Sequence, residues 1–279
     1  MSDRPREKGV LAGCADQAPP CGSAGSQALP QDALRLEGGA DDGPKRAGSP
    51  TLEPVDDAHE AGSLPGLFIT LEGPDGSGKS SLQPRLVAAI REAGCDVVAT
   101  REPGSTPLGE QVRRLVLDVE PRIDRTGRTD ALLFAASRAQ HVEEVIRPAL
   151  ERGSIVVCDR YADSSMAYQG AGSGVPIDEL SAVQRFATAG LNPDLTILLD
   201  LPVEVGLGRK SAEVTRFEAF HDVDYHERVR AAVLAFAAAE PERYVIVDAT
   251  GDPGSVLREA VDAVRRLGRR MPCLDDLRA

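Results

Sequence analysis

The chain has 279 residues, 42% of them hydrophobic, enough for one large or two small domains with a buried core. A formal charge of −12 excludes a general nucleic-acid binder, which needs a basic face, so any phosphate site must be local. No run approaches the roughly 20 apolar residues of a membrane span and no apolar core follows the N-terminal charges, so a cytoplasmic protein with no membrane or nucleic-acid partner is expected.

Residues 1–66 contain no Phe, Tyr or Trp, carry 18 Gly plus Pro, and set 11 acidic against 6 basic side chains. Such a segment cannot bury enough apolar surface to offset its ordering entropy, and a disordered N-terminal tail is expected. The five cysteines, Cys14, Cys21, Cys95, Cys158 and Cys273, are odd in number and form no C-x-x-C pair. They are expected to be free thiols rather than zinc ligands or disulfides.

From Leu67 onward, short apolar runs alternate with segments of helical periodicity. The runs are LFITLEG, DVVATREP, SIVVCDR, LTILLDL and YVIVDA. Strands alternating with helices predict a three-layer α/β/α domain over 67–267 around a five-stranded parallel sheet. Ligands of such sheets sit beyond the carboxyl ends of the strands. The closing RRMPCLDDLRA, within 268–279, reads as a loose C-terminal tail.

The first run leads into Gly73, Pro74, Asp75, Gly76, Ser77, Gly78, Lys79, Ser80 and Ser81, which satisfies G-x-x-x-x-G-K-[ST] with a strand before and a helix after. Glycines let successive backbone N–H groups turn inward as an anion nest, and the helix N-terminus adds positive potential. Lys79 then reaches the β and γ phosphates of a nucleotide, and the Ser80 hydroxyl can hold Mg²⁺. This loop fixes the kind of cofactor but not the reaction. Neither the N-K-x-D of GTPase switches nor the L-S-G-G-Q of transporter ATPases is present, which leaves small-molecule kinases.

The second run ends in TREPGSTPLGEQVRR, with Glu102 at the sheet edge and Arg113 on the next helix; the third ends in Asp159 and Arg160. An aspartate there can hold Mg²⁺ through water, and the arginine can clamp a phosphoryl group. In LLFAASRAQ, Phe134 and Arg138 stand four residues apart, placing an aromatic face and a guanidinium on one side of a helix, as a flat base requires. In DSSMAYQG, Ser165, Tyr168 and Gln169 repeat that spacing, and Gln169 offers both a donor and an acceptor to an imide edge.

Taken together, EGPDGSGKS, TREPG, LLFAASRAQH, CDRYADSSMAYQG, GLNPDLTILLDLPVEVGL and the late RFE resemble the thymidylate kinase family in order and approximate spacing over nearly all of 67–267. The resemblance implies ATP-dependent phosphorylation of dTMP to dTDP with Mg²⁺, and a homodimer. It makes Phe134 the thymine-stacking ring, Arg138 a donor to a base oxygen, and Gln169 and Ser165 neighbours of the base edge. Tyr168 lies under the sugar, Asp75 contacts the 3′-hydroxyl, Arg113 and Arg160 grip the acceptor phosphate, and Glu102 helps order the Mg²⁺ and water network. Ser77 stands where some family members place a P-loop arginine, so a lid residue should cover the γ-phosphate: Arg209, Lys210 or Arg216, with Arg216 the first choice. Two departures stand out. Ser105 replaces a usual glycine, a strained choice if that position needs positive φ, and Pro84 falls beyond the first turn of the P-loop helix.

Other enzymes share this loop. A nucleoside kinase would need a carboxylate base for its hydroxyl acceptor, whereas paired arginines favour an acceptor that already carries phosphate. A nucleotide-sensing module would not need Lys79, Asp159 and Arg160 all intact.

Overall fold

The computed structural model describes residues 64–119, 123–209 and 215–279. The expected tail lies outside these up to residue 63, as do Cys14, Cys21 and Lys210.

Five parallel strands form one sheet in the order β2-β3-β1-β4-β5: β1 (Leu67–Glu72), β2 (Val97–Arg101), β3 (Ile155–Asp159), β4 (Leu195–Asp200) and β5 (Tyr244–Asp248). These are the five apolar runs, trimmed where the backbone leaves the ladder. The central strand β1 is buried at every position, which explains its near-continuous apolar sequence. Alternation divides it between two cores. Leu67, Ile69 and Leu71 face the P-loop helix α1 (Lys79–Glu92) and the late helix α10 (Pro253–Arg265), while Phe68 faces a cluster containing Ile146, Leu150 and Tyr161.

Between the strands run α2 (Pro107–Leu117), α3 (Gly127–His141), α4 (Arg147–Glu151), α5 (Ala162–Ser165), α6 (Ile177–Thr188), α7 (Val203–Arg209), α8 (Arg216–Phe220) and α9 (Val223–Ala239). Helix α3 passes into α4 through a π-helical turn at Val142–Ile146, and α5 continues as a π-helical segment over Met166–Gly172. Pro84 sits inside α1, with Gly78 at φ 93° as its N-cap.

Two expectations change at the C-terminus. The segment after α10 is not loose: Pro272–Asp276 forms a 3₁₀ turn whose Leu274, together with Leu277, is fully buried in the α1/α10 core. The expectation that every cysteine is a free thiol also fails, because Cys95 and Cys273 form a disulfide across 178 residues of chain. Parity and local spacing give no sign of it, since the two are brought together only by this docking. Cys158 on β3 is free and buried.

Candidate active site

The carboxyl ends of β1, β2 and β3 open into one cavity of about 760 Å³, which also reaches the loop after β5. Its volume falls within the range of about 300–1,000 Å³ usual for small-molecule sites.

At one end stands the phosphate loop. Gly73, Gly76 and Gly78 have φ of 141°, 75° and 93°, conformations open to glycine at little cost. Gly76 has a second reason to lack a side chain, because a Cβ there would lie 2.0 Å from the Gly206 carbonyl oxygen of α7. Lys79 is buried, and its Nζ donates to the Gly73 and Pro74 carbonyls at 2.9 Å and to Ser77 Oγ at 3.1 Å. Burial, then the neighbouring Arg160 charge, pulls its pKa down to about 8. Ser80 and Ser81 are exposed on the first turn of α1 and line the cavity, as does Asp159. Asp159 Oδ1 is buried without a hydrogen-bond partner.

Arg160 closes the near wall. Its φ of 68° lies in the left-handed region, rare for a side chain with a Cβ and found mainly where surrounding structure holds it. Nη2 donates to Asp75 Oδ1 at 2.7 Å, and Nη1 donates to Ser164 Oγ and the Gly73 carbonyl. Asp75 also accepts from the Tyr168 hydroxyl at 3.0 Å, while the Arg160 guanidinium lies 5.0 Å above the Tyr168 ring. Arg113 reaches the cavity from α2, its Nη1 donating to the Pro103 carbonyl. Burial and the nearby Arg101 lower its pKa. Three guanidiniums therefore converge on one wall, with Arg101 the member to which the sequence motifs assign no role.

The far end is aromatic. Phe134 lines the cavity with Tyr168 and Phe217, ring centroids 6.1 Å from Phe134 to Phe217 and 5.9 Å from Tyr168 to Phe217. Sequence spacing does not single out Phe217, although it lies in the RFE motif. Ser165, Tyr168 and Gln169 all line the cavity, as their spacing implies, but the π-helical backbone rather than a regular α-helix presents the latter two.

Arg138 and Glu102 line this region but are engaged with each other. Arg138 is 2% exposed; its Nε donates to Glu102 Oε2 at 2.7 Å, Nη1 to Ser165 Oγ and to Gln184 Oε1, and Nη2 to the Tyr161 carbonyl. The other Glu102 oxygen meets His141 Nδ1 at 2.9 Å. Both Glu102 oxygens are thus taken up, one by Arg138 and the other by His141.

Of the lid residues, Arg209 lines the cavity and donates to the Ala249 carbonyl at 2.8 Å. Arg216 does not: its Nη1 donates to Asp130 Oδ2 at 2.8 Å, and Asp130 also accepts from Arg125, beside a separate cavity of about 380 Å³. Ser105 has φ 64°, the positive value that favours glycine, and its backbone N–H donates to Glu110 Oε1.

A thymidylate kinase family model matches residues 71–260. The chain belongs to that family. It is 50% identical over 212 residues to the thymidylate kinase of Thermomicrobium roseum, covering 74% of this chain and 99% of that one. It is also 50% identical over 205 residues to that of Deinococcus radiodurans (73% and 98%), and 47% identical over 203 residues to that of Pseudomonas fluorescens (72% and 95%). Among the described residues of this family member, no helix is long and apolar enough to cross a membrane.

Proposed function

We propose that the protein is a thymidylate kinase, transferring the γ-phosphoryl group of ATP to dTMP to give dTDP and ADP. One observation carries this: a single cavity joins a phosphate loop to a wall of three arginines and a pocket of aromatic rings, so donor phosphate and acceptor phosphate meet on one sheet edge.

In this reading the P-loop amides and Lys79 hold the donor phosphates, and Arg160 and Arg113 grip the acceptor phosphate. Asp75 and Tyr168 meet the deoxyribose, while Phe134 stacks on the base between Arg138, Ser165 and Gln169. A phosphate monoester is already an anionic nucleophile, so no general base is required; alignment and neutralisation of the equatorial oxygens supply the catalysis. Ser80 and Asp159 fit Mg²⁺, because Asp159 offers a buried oxygen with no other partner and this ion takes only one or two protein ligands beside phosphates and waters. When bound there, Mg²⁺ supplies charge neutralisation on the phosphate oxygens. Arg209 is the lid-side arginine already at the cavity, whereas Arg216 would reach the γ-phosphate only by releasing Asp130. A homodimer through α2, α3 and α6 is supported by the exposed apolar Leu115, Leu132 and Phe186, with α3 packed against both α2 and α6. A cytoplasmic location fits ATP as the donor.

The test is ADP release with dTMP, dUMP, dCMP, dGMP and thymidine offered separately. Preference for dTMP is expected, and preference for thymidine over dTMP would overturn the acceptor assignment.

A further inference from the structure

Glu72 is the last residue of β1, 1% exposed, and does not line the cavity. A carboxylate at the end of a buried, mostly apolar central strand is costly to bury and needs partners. It finds them just past the carboxyl end of the neighbouring strand β3. Oε1 accepts from Tyr161 N at 2.8 Å and from Ser164 N at 3.3 Å; Oε2 accepts from Ser164 Oγ at 2.6 Å. The peptide it ties down immediately follows Arg160, whose φ of 68° requires outside support. The hydroxyl it orients is the one that accepts from Arg160 Nη1 at 3.2 Å. With its hydrogen directed to Glu72, Ser164 Oγ can only accept from the guanidinium, so the direction of this relay is fixed.

We infer that Glu72 is a positioning residue for phosphoryl transfer: rooted one residue before the P-loop, it sets the turn and the hydroxyl that aim the Arg160 guanidinium across Gly73 toward the acceptor phosphate. One strand end thereby sets both the donor cradle, through Gly73, and the acceptor clamp, through Arg160. Charge attraction alone would leave a long guanidinium several rotamers; the Glu72–Ser164 relay selects one. The inference rests on the reading of Arg160 as the acceptor-phosphate clamp.

The experiment compares steady-state kinetics of the full chain and its E72Q, S164A, E72Q/S164A and R160K variants at pH 8, with folding checked by circular dichroism. Gln keeps the shape of Glu72 but cannot accept from all three donors. Glu72→Gln is expected to lower kcat/KM for dTMP ten- to a hundredfold while KM for ATP stays within threefold. Ser164→Ala should lower kcat/KM for dTMP three- to tenfold, and the double variant should fall within about twofold of E72Q, since both changes break one relay. Wild-type kinetics in E72Q, an equal rise of both KM values, or multiplicative losses in the double variant would overturn the inference. Should E72Q not fold, S164A decides: wild-type dTMP kinetics there overturn it. R160K separates the two levels. If R160K leaves dTMP kinetics unchanged, the clamp reading itself fails; if R160K raises KM for dTMP while E72Q and S164A do not, only the positioning role fails.

Discussion

Arg160 Nη2 and Asp75 Oδ1 lie 2.7 Å apart, joining the residue after β3 to the middle of the phosphate loop, 85 positions away in sequence. The pair is mostly buried, and Asp75 also takes the Tyr168 hydroxyl. Burial alone would lower the Arg160 pKa, but Tyr168, Asp75, Asp159 and Glu72 outweigh it and move the pKa up, so the clamp carries full charge.

Replacing Asp75 by Asn keeps the size but removes the charge that holds both partners. A hydrogen bond to a charged group is worth about 1.5–3 kcal/mol, or roughly ten- to a hundredfold. Asp75→Asn is therefore expected to raise KM for dTMP by that factor, with KM for ATP changing far less, because the loop's backbone amides are untouched. Initial rates with each substrate varied separately check this; an equal effect on both would mean that Asp75 serves the loop alone.

Phe134 belongs to the aromatic end only if its ring meets the base. Truncation to Ala removes an aromatic surface worth about 2–3 kcal/mol when covered by a ligand. Phe134→Ala should then raise KM for dTMP at least tenfold and leave KM for ATP near the wild-type value. Phe217→Ala should act in the same direction but less strongly, since that ring packs against both Phe134 and Tyr168 at the edge of the same cavity. Equal effects on both substrates would make Phe134 part of the core.

The pH dependence of stability follows from Glu72. Burial, reinforced by Asp163, pushes its carboxyl up from 4.5 to about 7, against Arg160, Ser164 and Tyr161, which favour the ionised form. The folded state therefore binds more protons than the unfolded chain between these values, and stability falls as pH rises through that window, by on the order of 3 kcal/mol at most. Glu72→Gln cannot titrate. Urea unfolding of both proteins from pH 4.5 to 8 should show the wild type losing ground to the variant up to about pH 7 and the gap constant above it. A gap that does not change with pH would mean that Glu72 ionises as in the unfolded chain.

The sheet was legible because β1 and β3 are buried on both faces and read as near-continuous apolar runs. The cavity lining was legible where a motif fixes backbone, as at Asp75 to Ser81, or where two residues share one helix face, as with Phe134 and Arg138. What escaped depends on contacts distant in sequence. Nothing local shows that Glu102 is held by Arg138 and His141, or Arg216 by Asp130, because each pair joins separate elements. Gly206 reads as an ordinary helical residue, yet a Cβ there would stand 2.3 Å from the Asp75 carbonyl oxygen. A charged residue ending the apolar run LFITLE was the available signal for Glu72.

That close approach of α7 to the phosphate loop makes Gly206 a sensitive position. Ala is normally the better helix former by about 1 kcal/mol, so Gly206→Ala would stabilise an isolated helix. Here the methyl would displace backbone, and the loop must shift. Weaker ATP binding, at least tenfold by titration calorimetry, is expected together with a lower melting temperature. Unchanged ATP affinity in a stabilised variant would show that α7 stands clear of the loop.

The docked C-terminus gives the last expectation. Leu274 and Leu277 are fully buried against α1 and α10, and Cys273 is bonded to Cys95 in the same core. Deleting residues 272–279 removes both leucines and uncovers the surface beneath them, at about 2–5 kcal/mol for each buried side chain lost. Because α1 carries the phosphate loop at its other end, the loss bears on the stability of the catalytic domain itself. The truncated chain should melt well below the full chain, and Cys273→Ser, which keeps both leucines, should fall between them. Kinetic constants measured well below the melting transition should stay near the full-length values, since the segment lies away from the cavity lining. A truncated protein that melts with the full chain would make the segment the loose tail that its composition suggested.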